Sequence, residues 1–551
     1  MRRRKNAQGL TVNAIAGSHV VTLGIDLAPS KRTGCLGFAI KRTDHTEGES
    51  YWMSGTKTFK ETDPGIGPGG QVSSHDHPFQ SFQWADYSAK PGYDYTYKVI
   101  PMYGSPSSLQ DGDGLEVRIQ TETEFGQLHS IFFNRGAVAS QEYARRFQNK
   151  RPDDPSLGQA AYKWLQRGLL DALAAFIAQA TDSKWEIHGA IYEFQWHDAL
   201  LIFKDAKARG VKVRLVYDEI PGGPGPLNDA AIADAQIKAI CSPRTNGKIM
   251  HNKFFVLSKN GKPQSVWLGS TNLTENGIFG HLNCGHVIED PDVAASYLGY
   301  WSELKSDPAI PDEKDWIAEN NPAPPDPWNE KLTPIFSPRR GLDVLDWYAQ
   351  IANSARKGLF MTFAFGMHKN FKDVYEQEDG VLRFALMEKE GNGAGLAQGK
   401  IDIARIRRLS NVVVAIGKNI QLNSFDRWLK ERAKLTQEAN IKYVHTKFML
   451  VDPLSDSPTT ITGSANFSGA STDTNDENMV VIKGDKRVAD IYLGEFMRTF
   501  SHYAFREAVA NWEQWHPNEE WTPNHLIKND SWLADYFKAG NPRSLRREYF
   551  A

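Results

Sequence analysis

Residues 249–257 read IMHNKFFVL and residues 443–451 read YVHTKFMLV. Each stretch sets a histidine and a lysine two positions apart and follows them with an apolar run. Neither residue belongs by default in a strand core, so a shared chemical purpose is the simplest reason for writing the pattern twice. In an extended chain successive side chains point to opposite faces. His251 and Lys253 therefore share one face, and so do His445 and Lys447. Each stretch presents an imidazole beside an ammonium.

The two stretches anchor a long internal repeat. His251 and Lys253 become His445 and Lys447 on adding 194, and Gly269-Ser270-Thr271-Asn272 becomes Gly463-Ser464-Ala465-Asn466. The same offset carries Asn283 onto Glu477, so no gap is needed across 33 positions. A lone His-x-Lys arises often by chance, whereas two copies with a Gly-Ser-x-Asn turn at equal distance do not. Glycine allows close backbone approach, and Ser and Asn add hydrogen-bond donors. Each half thus offers His, Lys, Ser and Asn with no carboxylate among them, a set suited to phosphate oxygens.

These residues resemble the paired motif of the phospholipase D superfamily, His-x-Lys-x4-Asp followed by Gly-Ser-x-Asn. The second copy fits throughout: His445, Lys447, Asp452, Gly463, Ser464 and Asn466. The first departs once, with Ser258 at the Asp position. The resemblance covers about residues 158–510. It implies two similar α/β lobes around a pseudo-twofold axis, both motifs facing one cleft. It also implies cleavage or transfer of phosphodiesters through a phosphohistidine, without a catalytic metal or other cofactor.

Roles follow as expectations. One histidine attacks phosphorus; the other protonates the leaving oxygen and then activates water. If each repeat partner contacts the ring of its own motif, Glu477 raises the basicity of His445, and Asn283 orients His251 without stabilising its charge. His251 is then the nucleophile and His445 the general acid/base, the order the resemblance also implies. Lys253, Lys447, Asn272 and Asn466 are expected to clamp the non-bridging oxygens, Ser270 and Ser464 to assist in substrate binding, and Asp452 to be structural near the site. Zinc is not expected, because each histidine has a cation two residues away.

Which phosphodiester is cleaved is left open between three readings. GSANFSGASTDTNDENMVVI resembles superfamily nucleases, and residues 400–442, read as an insert, hold ten Lys or Arg against four Asp or Glu, which favours nucleic acid. Ile278 and Phe279 in ENGIFGHL would favour a lipid interface if they formed an exposed tip. The third reading is a phosphate-binding module without catalysis. A metal-independent nuclease is the preferred expectation, with a lipid hydrolase or transphosphatidylase as the alternative.

Outside the repeat, residues 19–122 are strand-like stretches rich in β-branched and aromatic residues, broken by DPGIGPGG, AKPG and DGDG. YTYKVIPMYG and GLEVRIQTE resemble the last strands of a fibronectin type III-like domain. The expected organisation is a β-sandwich over 1–125, lobe 1 over 126–306, a Pro-rich linker over 307–340 and lobe 2 over 341–551. The lobes are expected to be α/β with mixed, largely parallel sheets. The sandwich is read as an accessory able to bind a partner whose nature the residues leave open. A formal charge of −2 gives no global pull towards polyanions, and three scattered cysteines form no metal or disulfide pattern. No run long enough to span a bilayer and no apolar stretch after MRRRKNAQGL is present, so the cytoplasm is the expected location.

Overall fold

The computed structural model describes residues 1–66, 70–136, 140–148, 150–391, 393–417, 443–515 and 525–551. The N-terminal region is all-β, with antiparallel pairing throughout. One sheet orders Arg2–Ala7, Leu10–Ala16, Val21–Leu27 and Gln83–Asp86. The other orders Ser108–Asp111, Asp94–Ser105, Gly37–Asp44 and Glu49–Trp52, with Leu115–Gln120 also on Asp94–Ser105. LEVRIQ alternates buried and exposed side chains along its length, the signature of a strand with one face on a core.

Each lobe contributes seven strands. In lobe 1 they are β1 (His129–Phe133), β2 (Trp185–Ile191), β3 (Lys212–Asp218), β4 (Cys241–Arg244), β5 (Lys253–Lys259), β6 (Lys262–Gly269) and β7 (Cys284–Ile288). In lobe 2 they are β8 (Leu332–Ser337), β9 (Gly358–Phe363), β10 (Leu382–Met387), β11 (Val412–Ile416), β12 (Phe448–Val451), β13 (Thr459–Gly463) and β14 (Glu477–Lys483). The sheets run β1-β7-β6-β5-β2-β3-β4 and β8-β14-β13-β12-β9-β10-β11, the same order twice. Helices α1 (Leu169–Ala178), α2 (His197–Ala208) and α3 (Gly225–Asp234) precede β2, β3 and β4. α1 buries residues 169, 172, 173, 176 and 177, the spacing of one helical face. Helix α4 (Pro291–Ser306) closes lobe 1, and α5 (Ile310–Asn320) follows in the connection. Lobe 2 repeats the plan with α6 (Asp343–Asn353), α7 (Lys369–Tyr375), α8 (Leu396–Ile406) and the long α9 (Lys486–Trp515).

Three expectations are refined. The sheets are mixed but not largely parallel: only β2–β3–β4 and β9–β10–β11 pair in parallel, because the strands carrying the motifs are joined as hairpins. The Pro-rich stretch is more than a linker, since it holds α5 and the first strand of the second sheet. Pro334 is tolerated there because β8 is an edge strand. Residues 400–416, read as part of an insert, are α8 and β11, core elements of lobe 2; residues 418–442 of that basic stretch lie outside the described residues.

One apolar cluster is shared between the lobes. It holds Phe254, Tyr297 and Tyr300 of lobe 1 with Phe360, Phe384, Phe448 and Phe496 of lobe 2. The outer face of the second sheet has a core of its own. Residues 525–551 return to the N-terminal sheets, where Trp532 stacks on Phe82 at 5.5 Å and donates its indole N–H to the Cys35 carbonyl at 2.9 Å. No helix among the described residues is long and apolar enough to cross a membrane.

Candidate active site

The motifs meet where the lobes meet. Met250 forms a parallel bridge with Asp476, and Leu282 forms one with Val444. Adding 194 to 250 and 282 gives 444 and 476, so the two bridges are images of each other under the repeat. The backbone beside each histidine is thus stitched to the opposite lobe: the His251 N–H reaches the Asp476 carbonyl at 3.0 Å, and the Leu282 N–H reaches Tyr443 at 2.8 Å. The two imidazoles lie edge to face with centroids 6.3 Å apart.

This stitching exchanges the histidine partners. His251 Nδ1 donates to Glu477 Oε2 at 2.9 Å, and His445 Nδ1 donates to Asn283 Oδ1 at 2.8 Å. The expectation that each partner serves its own motif is therefore wrong. The cause is the pair of inter-lobe bridges, which bring residue 477 beside 251 and residue 283 beside 445.

The glycine of each Gly-Ser-x-Asn is needed by close approach. A Cβ on Gly269 would stand 2.3 Å from the Cys284 carbonyl oxygen, and one on Gly463 would stand 2.3 Å from that of Asn478. The following serines face inward, not towards a substrate as expected. Ser270 Oγ donates to Asn283 Oδ1 at 2.8 Å, and Ser464 Oγ donates to Glu477 Oε2 at 2.6 Å. Each serine thus touches the oxygen that holds the other lobe's histidine. Asn283 is fixed further by donating Nδ2 to the Gly277 carbonyl at 2.8 Å, which turns its oxygen towards His445.

Lys253 and Lys447 are buried, and each donates to the carbonyl of its own motif's histidine, at 2.5 and 2.6 Å. Asn272 Nδ2 donates to the buried Glu193 at 2.7 Å. Asn466, the counterpart of Asn272 in lobe 2, is buried, and its Oδ1 has no hydrogen-bond partner among the described residues. Asp452 is half-buried at the end of β12 away from His445. It accepts the N–H groups of Arg356, Lys357 and Gly358 at 2.9, 2.8 and 2.9 Å. Ser258, its counterpart in lobe 1, is buried and has no such task.

The electrostatics are uneven. Burial pushes His251 down to about 4; Glu477 opposes this, and Lys253 and Lys447 add to it. Burial, then Lys447, His281 and Lys253, hold His445 well below the ordinary value. Burial alone would raise the Glu477 carboxyl, but His251, Lys253 and the Ser464 hydroxyl outweigh it and keep it below its usual range. His251 therefore has an ionised carboxylate on Nδ1, and His445 has a neutral amide.

Some neighbours carried no motif signal. The His281 ring lies 5.7 Å from that of His445, and the Tyr192 ring lies 5.0 Å from that of His251. Ile278 and Phe279 are buried, and Phe279 packs on Tyr162 and Trp196 of lobe 1. They form no exposed apolar tip.

A family model described as "Cardiolipin synthase, PLD-like domain" matches residues 173–304 and 404–500, one segment in each lobe and each containing a His-x-Lys motif. The chain thus carries a PLD-like domain divided between its two lobes. No curated protein matches this chain. Among solved structures it is similar to polyphosphate kinase from Porphyromonas gingivalis, at 11% identity and a TM-score of 0.38, over 57% of this chain and only 43% of that one. It is also similar to phosphatidylserine synthase from Haemophilus influenzae, at 12% identity and a TM-score of 0.43, over 64% of this chain and 92% of that one. Nuc from Salmonella typhimurium is 28% identical over 25% of this chain and 87% of its own, with a TM-score of 0.21.

Proposed function

We propose that this protein is a phospholipase D superfamily member, a nuclease-type phosphodiesterase working through a phosphohistidine on His251, with His445 as general acid and then general base. The exchanged pairing removes the ground on which the sequence assigned these roles, a carboxylate favouring protonated His445, and supports the same assignment on another. An ionised Glu477 on Nδ1 of His251 makes Nε2 a better nucleophile and offsets the positive charge the ring gains on forming the N–P bond. His251 Nε2 gives its lone pair to phosphorus while the ester P–O bond breaks. The leaving oxygen takes the proton from Nε2 of His445. Water then attacks phosphorus, loses a proton to His445, and the N–P bond breaks. His445 must be protonated for the first step. The cations around it resist this until an anionic phosphodiester enters between Lys253 and Lys447 and offsets their charge. Those lysines, with Asn272 and Asn466, stabilise the transition state's oxygens, a task the site meets with its own cations.

Nucleic acid is preferred over lipid on two grounds. Residues 418–442 hold six Lys or Arg against three Asp or Glu, an excess that suits a polyanion, and burial of Ile278 and Phe279 removes the feature that favoured a lipid interface. We assign the N-terminal sandwich an accessory role. The test is a substrate panel in EDTA with single-stranded DNA, RNA and phosphatidylcholine vesicles containing a primary alcohol. Nucleic acid cleavage lost in His251→Ala and His445→Ala, with phosphate trapped on His251, is expected. Capture of the phosphatidyl group by the alcohol would replace this reading with the lipid enzyme. Phosphate trapped on His445 would reverse the two roles.

A further inference from the structure

Two carboxylates outside the motifs hold the backbone that carries the histidines. Asp218 ends β3 and Glu388 follows β10. Ile191 pairs with Tyr217 across β2–β3, and Phe363 pairs with Met387 across β9–β10, so Asp218 and Glu388 occupy the same place in the two lobes. Asp218 Oδ2 accepts the N–H of Met250 at 2.7 Å, and Oδ1 accepts that of Ile220 at 3.1 Å. Glu388 Oε2 accepts the N–H of Val444 at 3.0 Å and that of Tyr443 at 3.2 Å. Met250 and Val444 are counterparts under the repeat, and each directly precedes its histidine. Both carboxylates are buried. Placing a carboxylate out of water is expensive. Doing so twice for the same amide indicates that the position of this amide matters.

On the His251 side the support is larger. Arg244, at the end of β4, is fully buried. Its guanidinium meets Asp476 at 3.0 Å, Glu313 of α5 at 2.6 Å and Asp307 at 2.9 Å. Asp476 is the residue of the inter-lobe bridge: its N–H donates to the Ile249 carbonyl at 2.9 Å, and its own carbonyl accepts the His251 N–H. The amides of Met250 and His251 are therefore both committed, one to Asp218 and one to Asp476, and Glu313 ties α5 into the same knot. On the His445 side the counterpart of Asp476 is Leu282, which has no charge to offer.

We propose that Asp218 and Glu388 are positioning residues of the reaction. Each fixes the amide before its own lobe's histidine so that Nε2 keeps its line to phosphorus. Arg244, Asp476 and Glu313 extend this support on the His251 side and make α5 part of the active-site frame. The inference rests on the histidine roles given above. A misplacement of an ångström at a reacting group costs on the order of 100-fold in rate.

The test combines hydrogen–deuterium exchange of the peptides around 249–251 and 443–445 with steady-state kinetics on bis(p-nitrophenyl) phosphate. In Glu388→Ala the 443–445 amides exchange faster, and kcat falls roughly 10- to 100-fold with KM within about threefold. Glu388→Gln keeps an oxygen that can accept both amides, so it restores exchange and kcat together. Asp218→Ala behaves like Glu388→Ala at 249–251, and Asp218→Asn, with one acceptor for two amides, falls between. Wild-type exchange in Glu388→Ala overturns the anchoring. Faster exchange with unchanged kcat reduces these carboxylates to a structural role and overturns the proposal. A wild-type protein inactive on every diester would overturn the histidine roles, and the positioning role with them. The exchange arm still reads the anchoring without any substrate. Should Asp218→Ala fail to fold, the Glu388 pair carries the test by itself.

Discussion

His251 and His445 share a residue type, a motif and a fold position, and their chemistry diverges at Nδ1. A carboxylate there stabilises positive charge on the ring, whereas an amide only aligns it. Asn283→Asp should therefore raise the pKa of His445, by roughly 1–2 units from the effect of a contacting opposite charge. In the proposed roles His445 acts in its protonated form, so activity is lost as pH rises through its pKa. Raising that pKa moves the alkaline limb of the kcat/KM profile to higher pH. A limb that stays in place would mean that Asn283 and His445 are not in contact during turnover. Glu477→Gln acts on the other ring. It removes the charge that offsets the phosphoimidazolium, and phosphoenzyme formation measured by rapid quench should slow by roughly 10²- to 10⁴-fold. Both substitutions answer to the exchanged pairing: if each partner served its own motif, their effects would trade places.

At the scale of elements, strands place the motif, and their ends decide what else reaches it. Asp452 belongs to the motif pattern but not to the chemistry, since its three backbone bonds tie the end of β12 to the start of β9. It also sits at a φ of +46°, which Ala tolerates poorly. Asp452→Ala should cost about 2–4 kcal/mol of stability from these lost bonds and lower the melting temperature, while leaving kcat within about twofold. A large fall in kcat at constant stability would instead connect this corner to the site. The strands themselves were legible because alternation and a constant offset of 194 mark them from His251 to Asn283. Two features were not. The exchange of Glu477 and Asn283 arises from bridges between residues more than 150 positions apart, and a local pattern cannot register that. Asp218 and Glu388 differ in residue type and stand 170 apart, so the constant offset misses them. The extra length lies between β11 and β12, where lobe 2 carries the basic stretch. Pro334 hid β8 for another reason: proline argues against a strand unless the strand is known to be an edge.

At the scale of the molecule, the pieces depend on each other unequally. The lobes share an apolar cluster and two bridges, while the N-terminal sheets are tied on partly through Trp532. Trp532→Ala should cost about 3–5 kcal/mol and lower the first calorimetric transition. Activity at 25 °C should persist, because the lobe contacts that hold the histidines are untouched; parallel loss of kcat would show that the sandwich governs the site. The acid limit of stability is set at another junction. Glu495 of α9 meets Arg167 at 2.9 Å and Arg498 at 2.5 Å, all three buried. Burial alone would raise the Glu495 carboxyl, but the two guanidinium groups outweigh it and bring it down to about 2. A folded pKa below the unfolded one means that the stabilisation is fully present above about 4.5 and is lost as pH falls towards 2, amounting to roughly 3 kcal/mol. Asp218 and Asp476 act in the opposite sense: burial raises them from 3.8 to about 7 and about 6, so their contribution is full below about 3.8 and is lost progressively as pH rises from there to those values. With these three groups stability should therefore peak near pH 4 and decline from there to about 7. Glu495→Gln forfeits the carboxylate's contribution at neutral pH and has nothing left to titrate. Its melting temperature should be lower than wild type at pH 7 and nearly flat from pH 4 to 2.5, where wild type falls steeply. An acid slope equal to wild type would place the controlling carboxylates elsewhere and leave Glu495 a bystander at the junction of β1, α1 and α9.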